Sequence, residues 1–315
     1  MLPEDQAAAV SFAATSLPGQ RDHELLEVAE WFRNVPDMAE MFASCIRQAI
    51  DEVLDGQRTG RFDISHKEEV ASTEKTYLGT KVEIIVRAAF RLPRGAKMDY
   101  RVAGHDVDAK WTIGSNWTIP LEANGHICLL MSASDRKSKF RIGLVRIRDE
   151  HLNLGKNRDG KRSLSTMGRS AIEWLLQDGE LPENTLLSLP DADREAVFQS
   201  NSGQARINEL FCRVQERIVS RSTVLTVARQ DDGLKRVRDA RRHLRGKGII
   251  ILGHQDGHPD IAMSLNLPVP KKGSWVSACV TEVPETSERL KVAIGGRFYS
   301  ILGRVGDVPA APSHY

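Results

Sequence analysis

The sequence predicts an α/β protein of two domains: a mixed-sheet domain, then a helix-rich one with strands toward its end. Three observations lead there. The chain has 315 residues, 41% of them hydrophobic, which suits two ordinary domains with cores of their own. Its first half runs from helical periodicity into four strand-like segments and then a helix at about 166–177, the order of an α/β layer structure. Its second half sets a strongly basic helical run between an amphipathic helix and several apolar strands. The turn-rich text QDGELPEN, 177–184, reads as the linker between domains 1–176 and 185–315, with the Gly- and Lys-rich stretch 155–162 as an alternative hinge.

Composition narrows the function classes. A net charge of +2 means that any nucleic-acid footprint is local rather than spread over the chain. Cys45, Cys128, Cys212 and Cys279 stand far apart with no CxxC pair, so they read as buried thiols in a reducing cytoplasm rather than zinc ligands. No apolar run approaches membrane-spanning length, and MLPEDQAAAV lacks a basic segment followed by an apolar one. A cytoplasmic protein without a membrane partner is expected.

Residues 1–22, with Pro3, Pro18 and Gly19, read as loosely ordered. Two helices follow, 23–34 and 37–54, broken at Pro36. In the second, Met38, Met41, Phe42, Cys45, Ile46, Ala49, Ile50, Val53 and Leu54 recur at steps of three and four, a stripe that suits core packing better than a dimer face. Asp37 is its expected N-cap and Gly56 its stop. The loop LDGQRTGR, 54–61, offers Arg58 and Arg61 to a phosphate backbone or to solvent. Its Asp-Gly-x-Arg resembles the nucleotidyl-transfer motif of DNA ligases, but the nucleophilic lysine position holds Val53, which cannot attack a phosphate. Further on, Thr80 reads as a helix cap with Glu83 as its capping-box acid; alternatively Glu83 is a carboxylate delivered toward the next segment.

That segment is MDYRVAGHDVDAKW, 98–111. Side chains two apart in a strand share a face, so Asp108 and Lys110 point one way and Val107, Ala109 and Trp111 the other. If 98–103 pairs with this strand around a Gly104-His105 turn, Asp99 comes beside Asp108. Two carboxylates and an ammonium then converge, an arrangement that suits a hard cation such as Mg²⁺; the plainer reading is an edge-strand salt bridge. The same Asp-x-Lys spacing at Asp135-Lys137 and Asp159-Lys161 lies in polar text and reads as solvated surface. Strands are expected at 125–134 and 140–149; in the loop 114–125 that precedes them, Asn116, Trp117 and Asn124 are within reach of base edges, though ordinary loop roles suit them better.

In the second half, 204–220 reads as one amphipathic helix, followed by the apolar segment STVLTVA. From Arg229 to Lys247 there are eight Lys or Arg against three Asp, with Asp232 as a cap and Leu234 and Val237 facing inward. Helix, short segment, turn and basic helix resemble a helix-turn-helix, whose basic face (Arg229, Lys235, Arg236, Arg238, Arg241, Arg242) would meet phosphates; a solvated charged helix is the alternative. Strands at 248–254 and 274–283 and a hairpin at Gly295-Gly296 would make it a winged helix-turn-helix, and the tail PAAPSHY reads as disordered.

Taken together, TEKTYLGTKVEI, MDYRVAGHDVDAKW, GHICL, GQARINELF with RVQERIVSR, TVARQDD with KRVR, GIIILGHQD and LPVPKKG are similar to the NaeI-type type II (type IIE) restriction endonucleases, from the LDGQRTGR loop nearly to the C-terminus, with little similarity in the first fifty residues. The resemblance implies a homodimer acting on double-stranded DNA. It implies a restriction-endonuclease-like N-terminal domain with a Pro-Asp…Asp/Glu-x-Lys site, here with Met98 in place of the proline. The family's acids fall on Asp99 and Asp108, its lysine on Lys110 and its helix glutamate on Glu83. It also implies Mg²⁺ as cofactor, held by Asp99, Asp108 and Glu83, and a catabolite-activator-like helix-turn-helix domain that binds a second copy of the site, GCCGGC, and activates cleavage. The rival expectations are a DNA-binding regulator with an inactive nuclease half and a repair nuclease directed by DNA structure.

Overall fold

The computed structural model describes residues 22–302 and 310–315. Except for Asp22, the stretch 1–22 lies outside them. Asp22 caps α1 (His23–Arg33) by accepting the Leu25 N–H at 3.1 Å. After Pro36 the chain turns through a left-handed Asp37 (φ 53°) into α2 (Met38–Leu54), so Asp37 begins the helix but its side chain makes no capping bond. Phe42, Ile46, Ala49 and Ile50 are fully buried, and the stripe is core. The helix stops at left-handed Asp55 rather than Gly56, which opens the one-turn α3 (Gly56–Thr59). A Cβ on Gly56 would lie 2.1 Å from Thr226 Oγ1, so close approach to the second half explains this glycine.

The next helix, α4 (Ser72–Ala89), begins well before Thr80. Glu74 closes its first turn by accepting the Ala71 N–H at 2.9 Å, which leaves Glu83 mid-helix and not a cap. A hairpin follows, β1 (Tyr100–Val102) and β2 (His105–Thr112), turning on Ala103-Gly104, both at positive φ, one residue earlier than the sequence suggested. Then come β3 (Thr118–Ile119), β4 (Ile127–Ser134), β5 (Lys139–Arg146), β6 (Leu152–Lys156), β7 (Arg162–Leu164), the short α5 (Thr166–Ser170) and β8 (Glu173–Glu180). Five of these strands form a mixed sheet in the order β1-β2-β4-β5-β8, with β2 parallel to β4 and the other pairs antiparallel.

The expected helix at 166–177 is therefore one short turn and a strand. Trp174 of β8 lies over Gly143 of β5, where a Cβ would approach its ring to 3.0 Å, and this packing draws the segment onto the sheet edge. Residues 177–180 complete β8, and 155–162 forms the β6–β7 hairpin rather than a hinge. Helices α1, α2 and α4 cover one sheet face over Val107, Leu129 and Ile142. The small sheet β3-β7-β6 covers part of the other, over Cys128, Leu130 and Val145.

The second half holds α6 (Thr185–Ser188), α7 (Asp191–Phe198), α8 (Gly203–Arg213), β9 (Ile218–Ser220), α9 (Arg221–Ala228), α10 (Gly233–Leu244), β10 (Ile249–Leu252), α11 (His258–Ser264), β11 (Ser274–Val283), β12 (Val292–Ile294) and β13 (Arg297–Ile301). Its sheet runs β10-β11-β13-β12, with β9 also on β11. Residues 204–220 are not one helix. The chain turns at Glu216 (φ 60°), whose N–H reaches Ser277 O at 2.7 Å, and 218–220 joins the sheet. STVLTVA belongs to α9, capped by Ser220, which accepts the Thr223 N–H. The Gly295-Gly296 hairpin forms as expected, with both glycines at positive φ. The tail from Ala310 is not loose: Tyr315 Oη accepts the Ile251 N–H at 2.9 Å and its ring packs on His258.

Candidate active site and DNA-facing surfaces

The β1–β2 hairpin brings the predicted acids together. Tyr100 pairs with Val107, so Asp99 enters opposite Asp108, and Asp99 Oδ2 accepts the Ala109 N–H at 2.8 Å. Asp108 is 7% exposed and its Oδ2 meets Lys110 Nζ at 2.5 Å. Burial pushes the Asp108 carboxyl up to about 6 against the pull of Lys110, and Asp99 adds to the rise. Glu83 is half-buried on α4; burial and the charges of Asp99 and Asp108 raise its carboxyl too, while Arg87 and Lys110 oppose them. Asp99, Asp108, Lys110 and Glu83 thus form one electrostatic cluster, as the sequence suggested.

Two members escaped sequence reasoning. Cys128 of β4 sits directly across from Asp108 and its Sγ lies 3.7 Å from Oδ2; burial holds this thiol protonated. Nothing in a single sequence announces that β2 pairs in parallel with β4. Tyr100, fully buried, donates from its hydroxyl to Glu83 O at 2.9 Å and ties the acid-bearing helix to the hairpin. Its place beside Asp99 in an alternating strand was a readable signal.

Among the described residues no three or more His, Cys, Asp or Glu side chains are placed, as they stand, to hold a metal ion together. The donor chemistry nevertheless fits a hard cation. Glu83, Asp99 and Asp108 offer only carboxylate oxygens, and the repulsion from Asp99 that adds to the burial-driven rise on Glu83 and Asp108 is one that a dication among them would relieve.

The arginines divide. Arg58 is exposed and pairs loosely with Asp55 at 3.5 Å. Arg61 is turned inward: it donates to Val53 O, Leu54 O and Glu69 O and pairs with Glu74 at 2.9 Å, so it braces the loop and is not open to a phosphate. On α10, Lys235, Arg238 and Arg242 are exposed, Arg242 beside Asp239. Arg236 pairs with Asp232 at 3.0 Å. Arg241 is not on the outer face; its Nε donates to Ile251 O at 2.8 Å. Arg229 lies over the Phe198 ring, 5.4 Å from the centroid, and against Gly60, which places it at the junction of the two halves. Asp135, expected on the surface, is buried and paired with Arg47 at 2.5 Å, because the turn that carries it packs beneath α2. Asn116 and Trp117 are spent on Leu164 O and Met131 O.

A buried carboxylate braced by a lysine two residues on, with a second acid across the hairpin and a third on a neighbouring helix, is an arrangement whose chemistry suits hydrolysis of phosphodiesters. The comparisons agree. The family model "Restriction endonuclease NaeI" matches residues 26–308, and the chain belongs to that family of type II restriction endonucleases. The type II restriction enzyme NaeI of Lentzea aerocolonigenes is 41% identical over 314 residues, covering 95% of this chain and 97% of that protein. The family match begins at residue 26, so the similarity takes in most of α1 and all of α2, beyond the segments that carried the resemblance in the sequence. A restriction endonuclease acts on double-stranded DNA, and enzymes of this class generally use divalent metal ions. Among the described residues no helix is long and apolar enough to cross a membrane.

Proposed function

We propose that this enzyme makes Mg²⁺-dependent double-strand cuts at a GC-rich palindrome, GCCGGC, with Asp99, Asp108, Lys110 and Glu83 as its site, leaving 5′-phosphate and 3′-hydroxyl ends. The observation that carries the reading is the buried Asp108–Lys110 pair with Asp99 held across the hairpin. Asp99 and Asp108, with Glu83 beside them, would hold one or two Mg²⁺. When bound there, a hard divalent cation polarises the scissile phosphate and acidifies water. Lys110 leaves its contact with Asp108 to orient the attacking water and to offset charge on the phosphate as the leaving oxygen departs. Tyr100 keeps Glu83 at its station.

The region from about 185 onward is read as the effector domain, a winged helix-turn-helix in which α9, the turn 229–232 and α10 bind a second DNA copy through Lys235, Arg238 and Arg242, with Arg58 from the first half near the same junction. A homodimer, cytoplasmic like its DNA substrate, would match the symmetry of a palindrome.

Digestion of plasmids with none, one and two copies of GCCGGC, with Mg²⁺ and with EDTA, tests the reading. Discrete cuts that need Mg²⁺ and are fastest with two copies are expected. Cuts at another sequence would discard the borrowed specificity and keep the site. Smeared, sequence-independent products would favour a nuclease directed by DNA structure. DNA bound but uncut in every lane would favour a regulator.

A further inference from the structure

On β5, Phe140 and Ile142 enter the helix-covered core, so the alternating Arg141 points to the opposite sheet face. That is the face of Asp108 and Lys110, since Asp108 contacts Cys128 and both Cys128 and Leu130 pack there. The strand register lines Thr112, Ser132 and Arg141 in one row, two residues along the strands from the row of Lys110. Strand spacing of about 4.8 Å and a rise of about 3.4 Å per residue put the Arg141 backbone roughly 12 Å from that of Lys110.

Arg141 is held in a socket. Its guanidinium carbon lies 5.8 Å from the Trp117 ring centroid and 5.6 Å from that of Trp174. Trp117 is buried and anchored by its Nε1 to Met131 O at 2.9 Å. Trp174 lies on Gly143, which leaves it room. Arg146 on the same strand is neutralised by Asp22 and Glu24, whereas among the described residues no carboxylate pairs with Arg141. Two indoles thus fix a planar cation whose hydrogen-bond donors have no acidic partner among the described residues.

We infer that Arg141 holds a non-scissile backbone phosphate of the substrate duplex, a few nucleotides from the bond at Asp108 and Lys110. This rests on the active-site reading above. An arginine fork suits a phosphate, and phosphates near the scissile bond are the anions that a substrate brings to this face.

The test uses duplex binding by the full-length enzyme in an Asp108→Ala background, followed across NaCl concentration, with Arg141→Ala, Arg141→Gln and Arg141→Lys added. Glutamine can keep the stack between the indoles without the charge, so a fault in folding is told from the loss of a contact. Loss of the charge should weaken cognate binding about tenfold and lower the salt slope by about 0.9, the share of one phosphate, with lysine restoring most of the slope. In the Asp108 enzyme the Arg141 variants should raise KM more than they lower kcat, and the ratio of cognate to non-cognate affinity should hold. An unchanged slope in both Ala and Gln variants would overturn the proposal, and so would a collapse of the cognate ratio, which would mean base reading. Failure of the active-site reading is separate: wild-type and Asp108→Ala enzymes would then cut alike or not at all, whatever the slopes.

Discussion

Asp108 combines burial, a lysine partner and a neighbouring acid, and its behaviour with pH follows from them. Its carboxyl titrates at about 6 in the fold, against an ordinary 3.8. A raised acid favours the fold in its protonated form, so this contribution is full below pH ~4 and is lost as pH climbs through ~6. Without divalent cations, the wild type should therefore lose stability relative to Asp108→Asn across that window; parallel melting curves that show no divergence would contradict the burial argument. Divalent cations require the ionised carboxylate, so Mg²⁺ affinity measured by calorimetry should rise as pH passes ~6, and Asp108→Asn should remove that rise. Removing Lys110 with Lys110→Ala should cost on the order of 10²–10³ in kcat while duplex binding persists.

Among the elements, α4 and the hairpin matter most to the site, and one hydroxyl joins them. Tyr100→Phe deletes the bond to Glu83 O and should cost about 1 kcal/mol in denaturant unfolding, with a larger relative loss in cleavage than in DNA binding. The elements also differ in how far one chain discloses them. The stripe of α2 was legible because its apolar residues recur at three and four, and the β1–β2 hairpin because period two and a glycine turn coincide. The start of α4 was hidden: its N-cap is Ala71, and the closing carboxylate comes from Glu74 inside the helix. The α8–β9–α9 region misled because Val214, Ile218 and Val219 keep helical spacing while the backbone reverses at Glu216. Segment β8 misled because its irregular pairing with β5 breaks the strict alternation of a flat strand. The convergence of Asp99, Asp108 and Lys110 was legible since one hairpin carries them; the socket of Arg141 was not, since it is assembled from three separated segments.

At the scale of the whole molecule, the two halves are joined by a buried polar network as well as by apolar contact. Arg47 of α2 donates to Asp51 at 2.9 Å and to Asp135 at 2.5 Å; Asn184, between β8 and α6, donates to Asp135 and to Phe62 O. Ser222 of α9 hydrogen-bonds Asp51, and Phe62 stacks on Phe198 across the junction. Arg47→Ala would leave the buried Asp135 without its cation, and the half-buried Asp51 too, so it should cost about 3–5 kcal/mol in unfolding free energy; a loss under 1 kcal/mol would show that water reaches the junction. Cleavage stands at this scale too, because the proposed function sets the acids in one half and has DNA held by both. The most direct measurement is a side-by-side assay of cleavage and duplex binding by wild-type and Asp108→Ala enzymes in Mg²⁺. The account predicts discrete cuts by the wild type and none by the variant, with duplex affinity retained by both. Equal cutting by both proteins would contradict it.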